Sequence, residues 1–250
     1  MVPQPNEAVV VEVDTTHDRY RLVAGSNNNF GTSGNGVPAL KALLESPTDL
    51  AISTTSRAIY FTDGEVVGRI DSKGIISTVA GGGTSLADGV PALQASLTSP
   101  GAIAVDRNEI IYVCEAAPAS RVRRFTVNGK ILTIAGTGIS GFNGDGIPAL
   151  RAQLSNPQGV ATDLWGNVYI SDQANYRVRR VDSSGIISTV AGTGEMGSGP
   201  DGVPPRQSHL DGPATLKIDA EGNLYVGEFF GGRIRHFKDS PIRSCRDWSR

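Results

Sequence analysis

The sequence has 250 residues, with 23 Lys and Arg against 25 Asp and Glu, and its formal net charge is −2 at pH 7. This balance excludes a global basic field of the kind that attracts nucleic acid or an anionic membrane. No apolar run approaches the ~20 residues that a membrane helix needs, so no membrane insertion is expected. The N-terminus lacks the basic and then apolar layout of a signal peptide, and nothing in the sequence assigns a compartment.

The two cysteines and three histidines predict neither a disulfide framework nor a metal site. Cys114 and Cys245 are too few for a structural zinc site, which needs about four ligands at set spacings. His17, His209 and His236 are scattered over different kinds of element, so a three-histidine zinc site is not expected. We therefore expect no cofactor, and no Ser-His-Asp or Cys-His arrangement is nominated for catalysis.

The same pattern of residues returns four times along the chain. Val-Ala-Gly or Ile-Ala-Gly ends at glycines that are 56, 55 and 56 residues apart. Each glycine is followed by a proline, by a second proline nine residues after the first, and by a tyrosine. Four columns with one period predict an array of supersecondary units. The columns are Gly25, Gly81, Gly136 and Gly192; Pro38, Pro91, Pro148 and Pro204; Pro47, Pro100, Pro157 and Pro213; and Tyr60, Tyr112, Tyr169 and Tyr225.

Each unit opens with a short helical segment in the long connection before its strands. In the third repeat, Pro148 suits a first helical turn because its missing N–H costs nothing there. Leu150 and Leu154, at positions i and i+4, are then expected on one face of the segment. Asn156 precedes Pro157 and is pushed out of the α region, so the segment must end there.

Four short strands follow in each unit, because apolar side chains alternate there with period two. Before the first complete unit, Val9–Asp14 resembles a third strand and Arg19–Gly25 a fourth, whereas the last unit has no fourth strand. The strand candidates of the third repeat are Val160–Asp163, Val168–Asp172, Arg177–Asp182 and Gly185–Gly192.

Four antiparallel strands repeated at this period predict an all-β fold, a β-propeller of about four blades, rather than a stacked solenoid. We expect a single domain over residues 1–240, followed by a polar tail over 241–250. The repeats run approximately over 20–74, 75–130, 131–185 and 186–240, and residues 8–14 form an extra N-terminal strand.

Several motifs of this chain resemble consecutive NHL repeats, and the resemblance covers Val9 to Phe237. NHL propellers commonly have six blades, and this sequence provides about four. Either a four-bladed ring forms with one strand displaced, or the chain is an open arc of a larger propeller whose edge strands would pair with another chain. The motifs are Gly-Ile-Ile-Ser-Thr-Val-Ala-Gly-Thr-Gly (185–194), Gly-Asp-Gly-Ile-Pro-Ala (144–149), Leu-Ser-Asn-Pro-Gln-Gly-Val-Ala-Thr-Asp (154–163), Gly-Asn-Val-Tyr-Ile-Ser-Asp (166–172) and Arg-Val-Arg-Arg-Val-Asp (177–182).

An acid column and an arginine column recur beside each other. The acids Asp63, Glu115, Asp172 and Glu228 stand three residues after each tyrosine, and Arg121, Arg177 and Arg233 open the next strand. We interpret them as cross-strand ion pairs, each worth about 0–1 kcal/mol when exposed. The alternative is a ring of polar groups at one propeller face, where ligands bind.

The candidate interaction surface combines the arginines of the third strands with two aromatic residues that break the repeat in the last unit. Its residues are Arg121, Arg123, Arg177, Arg179, Arg233, Arg235, Phe229 and Phe230.

We expect a soluble, non-catalytic binding or scaffold module that recognises protein or peptide partners through loops at a propeller face. One alternative, implied by the NHL resemblance, is an enzyme of the peptide-amidating-lyase or lactonase kind that acts at the central channel. A second alternative is binding of single-stranded RNA on a basic face. The near-neutral charge and sparse aromatic residues disfavour RNA.

Overall fold

A computed structural model describes residues 8–25, 31 and 35–237, and their regular structure is nineteen β-strands and five 3-10 turns of three residues each. The predicted tail, residues 241–250, lies outside the described residues. No helix in the described part of the chain is long and apolar enough to cross a membrane.

The strands form one two-stranded hairpin and four larger antiparallel sheets. The strands are β1 (Val10–Asp14), β2 (Arg19–Ala24), β3 (Val37–Pro38), β4 (Pro47–Ile52), β5 (Ile59–Asp63), β6 (Val66–Ile70), β7 (Ile75–Gly81), β8 (Pro100–Val105), β9 (Ile111–Glu115), β10 (Arg121–Phe125), β11 (Leu132–Ala135), β12 (Ile147–Pro148), β13 (Pro157–Thr162), β14 (Val168–Asp172), β15 (Arg177–Val181), β16 (Ile186–Ala191), β17 (Pro213–Ile218), β18 (Leu224–Glu228) and β19 (Arg233–Phe237).

Four blades follow one another along the chain. Blade 1 is β4–β7, blade 2 is β8–β11, blade 3 is β13–β16 and blade 4 is β17–β19. In blades 1 and 3 the connection that precedes the blade adds a fifth, two-residue strand, β3 or β12, outside the fourth strand. The first strands of the blades lie side by side, β4 next to β8, β8 next to β13 and β13 next to β17. The all-β propeller predicted from the repeat is confirmed.

Successive residues of one strand enter two different cores, which is how neighbouring blades are packed together. In β9, Ile111 and Val113 belong to the apolar cluster between blades 1 and 2. Their neighbours Tyr112 and Cys114 belong to the cluster between blades 2 and 3. Because side chains alternate across a strand, each inner blade buries both faces, and its core is built mainly from Val, Ile, Leu and Ala.

The short helical turn predicted after each proline of the first column is a single 3-10 turn, and it is too short for the expected shared face of Leu150 and Leu154. In the third repeat the turn covers only Ala149–Arg151, and its C-terminal residue Ala152 is already extended. Leu150 is therefore exposed on the turn, whereas Leu154 is fully buried in the core between blades 2 and 3. The two leucines do not share a face, because no second helical turn follows to bring position i+4 over position i.

The described residues form an open arc, not a closed ring. The β1–β2 hairpin packs on blade 1 through Ala8, Val10 and Ala24, and blade 4 packs on blade 3. No apolar cluster of the described residues joins blade 4 to the hairpin. Each end exposes an apolar side chain that the inner blades bury. Ile234 of blade 4 is 79% exposed, whereas its counterpart Val178 of blade 3 is fully buried.

Substitutions at Ile234 and Val178 test whether the outer side of blade 4 is exposed to solvent. Ile234→Lys is expected to change the free energy of unfolding by less than about 0.5 kcal/mol, because the side chain already meets solvent. Val178→Lys, at the same register position one blade earlier, is expected to cost at least about 3 kcal/mol, because it buries an unpaired amine. Urea unfolding of both variants at low protein concentration measures the difference. Equal costs would mean that the outer side of blade 4 is covered in solution.

Candidate interaction face and its buried arginines

The candidate site lies at the ends of the second strands, where short turns lead into the third strands. We call this end the loop face. In blades 2, 3 and 4 it is formed by the turns over residues 116–120, 173–176 and 229–232, together with the long connections that precede each blade. In blade 1 the corresponding turn is only Gly64 and Glu65.

The acid column ties each long connection to its blade. The Glu115 carboxylate accepts the backbone N–H of Thr98 at 2.7 Å, and the Asp172 carboxylate accepts that of Ser155 at 2.7 Å. Asp63 and Glu228 accept backbone N–H groups in the same way in blades 1 and 4. Hydrogen bonds to an ionised acceptor are the stronger kind, so each carboxylate fixes the chain just before the first strand.

A buried arginine spans the space between this carboxylate and the long connection. Arg123 and Arg179 are 0% exposed, and Arg235 is nearly as buried. The Arg179 Nη1 lies 3.4 Å from Asp172 Oδ2, and its Nη2 donates to Asp145 Oδ1 at 3.0 Å and to the Gly144 carbonyl at 2.8 Å. Arg123 repeats this arrangement with Glu115 and with Asp88.

The aspartate of the connection also binds the outer strand of the blade. Asp145 Oδ1 accepts the backbone N–H of Thr189 at 2.8 Å and its hydroxyl at 3.0 Å. Asp88 does the same with Thr133, at 3.0 Å for both contacts. We call this unit of an acid-column carboxylate, a buried arginine and a connection aspartate the arginine clamp. It holds the connection flat against the sheet.

The predicted surface arginines are thereby divided into two groups. Arg123, Arg179 and Arg235 lie inside the blades, so their guanidinium groups are not part of the exposed surface. Arg121, Arg177 and Arg233 stand at the loop face, directly opposite the acid column in the strand register. A surface role for this second group stays a prediction.

Only one of these three arginines makes the predicted cross-strand ion pair. Arg121 Nε lies 2.6 Å from Glu115 Oε2. Arg177 instead donates to the carbonyls of Asn175 and Thr193, at 2.9 and 2.8 Å. Arg179 takes its place beside Asp172, because residues two apart on a strand share one face.

Phe142 is a loop-face residue that the sequence did not single out. Its ring lies 4.0 Å from the guanidinium carbon of Arg177 and 4.8 Å from that of Arg179. The ring is partly exposed, so it covers both guanidinium groups on the solvent side through cation–π contacts. The available signal was its place in the loop 141–146, where the other repeats have no aromatic residue at that point.

Phe229 and Phe230 form an exposed aromatic pair at the loop face of blade 4. They are 71% and 62% exposed, and their rings meet edge to face with centroids 5.3 Å apart. The turn holds them in place, because the Phe229 N–H donates to the Gly212 carbonyl at 2.8 Å. A Cβ on Gly212, whose φ is +68°, would stand 2.4 Å from the Phe230 ring. The Phe230 ring can therefore occupy this position only because residue 212 is a glycine.

Burial changes the proton affinity of one acid in the column. Desolvation raises the pKa of Asp172 to about 6, although hydrogen bonds from Ser155 N–H and Asn175 and the charge of Arg179 act to lower it. Burial also raises the pKa of the Cys114 thiol well above its usual range, which leaves that side chain as an unreactive core residue.

The first strands of the blades line a central cavity of about 230 Å³. Its titratable lining residues are Asp49 and Lys217, and Asp49 Oδ2 already accepts the backbone N–H of Ile103 at 3.0 Å. Among residues 8–25, 31 and 35–237, no group of three or more His, Cys, Asp or Glu is placed to hold a metal ion.

Antiparallel blades of three or four main strands, arranged side by side around a central cavity, define a β-propeller built from sequence repeats. A family model described as the Teneurin NHL domain matches residues 139–202, which cover all of blade 3 and parts of the connections before and after it. This match and the teneurin relatives described next confirm the resemblance of the chain to NHL-repeat β-propellers.

The relatives are large proteins of which this chain matches a small part. It is 31% identical to human Teneurin-4 over 158 residues, which is 54% of this chain and 6% of that protein. It is 27% identical to human Teneurin-1 over 183 residues, 64% of this chain and 7% of that protein. The chain thus spans well under a tenth of the length of these teneurins.

Solved structures share the fold at low sequence identity. A Bacteroides thetaiotaomicron protein of unknown function matches with a TM-score of 0.64 and 21% identity, over 93% of this chain and 64% of that chain. A chain of the nidogen/laminin complex matches with 0.59 and 17%, over 92% and 68%. A virginiamycin B lyase from Staphylococcus aureus matches with 0.53 and 17%, over 95% and 72%. Propellers of this shape therefore include both a component of a protein complex and an enzyme.

Arg179→Met is expected to lower the free energy of unfolding by about 3–5 kcal/mol, because it leaves the buried Asp172 carboxylate without its cation. The double variant Arg179→Met with Asp172→Asn is the matched control, because it also removes the carboxylate that loses its cation, and it is expected to recover at least half of the loss. Denaturant unfolding measures both, and a loss below about 1 kcal/mol for Arg179→Met would contradict the clamp.

The raised pKa of Asp172 predicts a pH dependence with a defined sign. The folded chain holds this proton up to about pH 6, whereas the unfolded chain releases it near pH 4. The contribution to stability is therefore complete below about pH 4 and is lost as the pH rises through 6. Compared with Asp172→Asn, the wild-type chain should lose stability across that interval. The carboxyl ¹³C resonance of Asp172 should titrate near pH 6, and a midpoint below 4 would refute the shift.

Proposed function

We propose that this chain is a protein-binding module whose partners dock on the loop face of blades 3 and 4. The observation that carries the proposal is the exposed pair Phe229 and Phe230, which breaks the repeat and has Arg233 exposed on the same turn and strand start. Aromatic and arginine side chains are the residues that most often anchor protein interfaces. The apolar pair costs nothing to dehydrate when a partner covers it.

The loop face of blade 3 extends this surface with a second anchor. Phe142 is held over Arg177 and Arg179, so the ring is presented with little loss of side-chain freedom on binding. Ile139 and Met196, on the connections before blades 3 and 4, are also exposed. Rigid aromatic anchors beside adaptable apolar loops suit a protein or peptide surface better than a small molecule.

The similar proteins also support a protein-binding role. The matched family model describes the NHL domain of teneurins, and one structural neighbour is a component of the nidogen/laminin complex. The central cavity offers Asp49, whose carboxylate is engaged by a backbone N–H, and this favours a binding module over catalysis at the channel. RNA binding is disfavoured because three of the six candidate arginines are buried.

The open ends of the arc provide a second, separate contact region. Residues 1–240 act in this proposal as one domain, with the four repeats as its blades. One end of the arc presents the outer edge of β19 and the exposed Ile234, and the other end presents Leu50 and Ile52. These ends would pair with additional blade-like structure or with a second copy of the chain. Self-association would then leave the loop face free.

The loop face is tested with peptides selected against the chain from a random library displayed on phage. Phe230→Ser is expected to weaken the selected peptides at least 30-fold, since loss of an interface anchor costs about 2 kcal/mol or more. Trp165→Ser is the matched control, because Trp165 is a similarly exposed aromatic residue on the opposite end of blade 3. Peptides that lose affinity with Trp165→Ser and retain it with Phe230→Ser would place the binding surface elsewhere.

A further inference from the structure

Blade 1 lacks the arginine clamp that blades 2, 3 and 4 share. In the strand register, Gly68 pairs with Phe61 where Arg179 pairs with Ile170 in blade 3. Val66 likewise stands where the other blades carry Arg121, Arg177 or Arg233. Both arginine positions of the blade are therefore occupied by residues without charge.

The remaining residues of the clamp leave one carboxylate without a counter-charge. In blades 2–4 two arginines stand beside two carboxylates, those of the acid column and of the connection. Blade 1 keeps the acid Asp63, which is 4% exposed, and replaces the connection aspartate by Asn35. No Lys, Arg or His nitrogen of the described residues forms an ion pair with Asp63, and the sequence over 26–34 contains no Lys or Arg.

The acceptors of the clamp nevertheless keep their positions. Asn35 Oδ1 accepts the backbone N–H of Thr78 at 2.5 Å, as Asp145 accepts that of Thr189. Asp63 still accepts the backbone N–H groups of Glu45 and Ser46, at 2.9 and 2.5 Å. Blade 1 thus retains the two ends between which a guanidinium group lies in the other blades.

A cavity of about 380 Å³ lies at this place in blade 1. Its lining includes Asn35, Leu43, Phe61, Asp63, Gly68 and Thr78. The Phe61 ring lies over Gly68, since a Cβ there would stand 2.2 Å from the ring carbon Cζ. A buried carboxylate, an aromatic ring and apolar walls in one cavity match a planar cation on an apolar stem.

We propose that this cavity, the blade 1 pocket, binds a guanidinium group carried by a docking protein segment. The arginine side chain of the partner takes the position that Arg123, Arg179 and Arg235 occupy within their own blades. Arginine fits better than lysine, because its fork can reach Asp63 and the Asn35 amide oxygen together while its stem meets Leu43 and Phe61. The proposal rests on the protein-binding function for the source of the guanidinium group, and it defines the chemistry of the partner.

The experiment uses Nα-acetyl-arginine N-methylamide as the probe, with the citrulline analogue as its uncharged isostere. The arginine probe should give saturable shifts of the Gly68 and Thr78 backbone amides in ¹H–¹⁵N spectra, with a dissociation constant of about 1 mM. The citrulline analogue should bind at least 10-fold more weakly. Absence of saturable shifts, or equal binding of the two probes, would overturn the proposal.

Two variants separate pocket binding from a general effect on the fold. Asn35→Asp restores the second carboxylate of the clamp and should tighten the arginine probe at least 5-fold, a gain that misfolding cannot produce. Phe61→Val with Gly68→Arg builds the internal arginine of blades 2–4 and should abolish probe binding while the Tm is maintained. A folded double variant that still binds the probe would place the guanidinium site elsewhere.

Failure of the pocket and failure of the loop face give different results. The arginine probe reports on the blade 1 pocket alone, and the selected peptides report on Phe230 in blade 4. If the probe does not bind while Phe230→Ser still weakens the peptides, the loop-face function stands without the pocket. If the probe binds while Phe230→Ser has no effect on the peptides, the pocket stands and the loop-face assignment fails.

Discussion

A buried guanidinium group held between two carboxylates determines how each long connection lies on its blade. Taking an arginine and an acid-column carboxylate out of water is costly, and a buried ion pair repays that cost only with good geometry and additional hydrogen bonds. The clamp of blade 3 supplies such hydrogen bonds from one guanidinium group. Arg179 meets Asp172, Asp145 and the Gly144 carbonyl, and Asp145 in turn holds Thr189 of the outer strand. The connection, the second strand, the third strand and the fourth strand are thereby joined through one side chain.

The position of the loop face follows from this arrangement. The connections carry the exposed apolar residues, and the turns between the second and third strands carry the aromatic pair of blade 4. Among the described residues, their regular structure is limited to single 3-10 turns and the two-residue strands β3 and β12. A loop that is tied down by buried charges can present a side chain such as Phe142 in one orientation. The scaffold and the recognition surface are therefore linked by the same electrostatic interaction.

Blade 1 departs from the repeat at both of its ends, and the two departures are resolved differently. At the end opposite the loop face, the aspartate that binds the tyrosine hydroxyl in blades 2–4 is replaced by Ser53. Blade 2 compensates, because Glu109 accepts hydrogen bonds from Ser53, Ser56 and Tyr60. Burial opposes the charge on Glu109, yet these hydrogen bonds outweigh it and hold its pKa below the usual value. At the loop face, no described residue of a neighbouring blade supplies the missing cation for Asp63. Ordinary drift among repeats would be compensated, as it is at Ser53, so the uncompensated charge marks the proposed ligand site.

The repeat period was enough to predict the blades, because strand alternation and turn residues are local properties of the sequence. The same alternation placed Arg177 and Arg179 on one face of β15, but it could not show which of them is buried. Burial depends on the connection from Asp145, about 34 residues earlier, folding over that face. Leu150 was misplaced for a related reason, since only the packing of the following extended chain puts Leu154 in the core. The charge deficit of blade 1 was present in the sequence as Asn35, Val66 and Gly68. It becomes recognisable as a site once the clamp in the other blades shows which charges belong together.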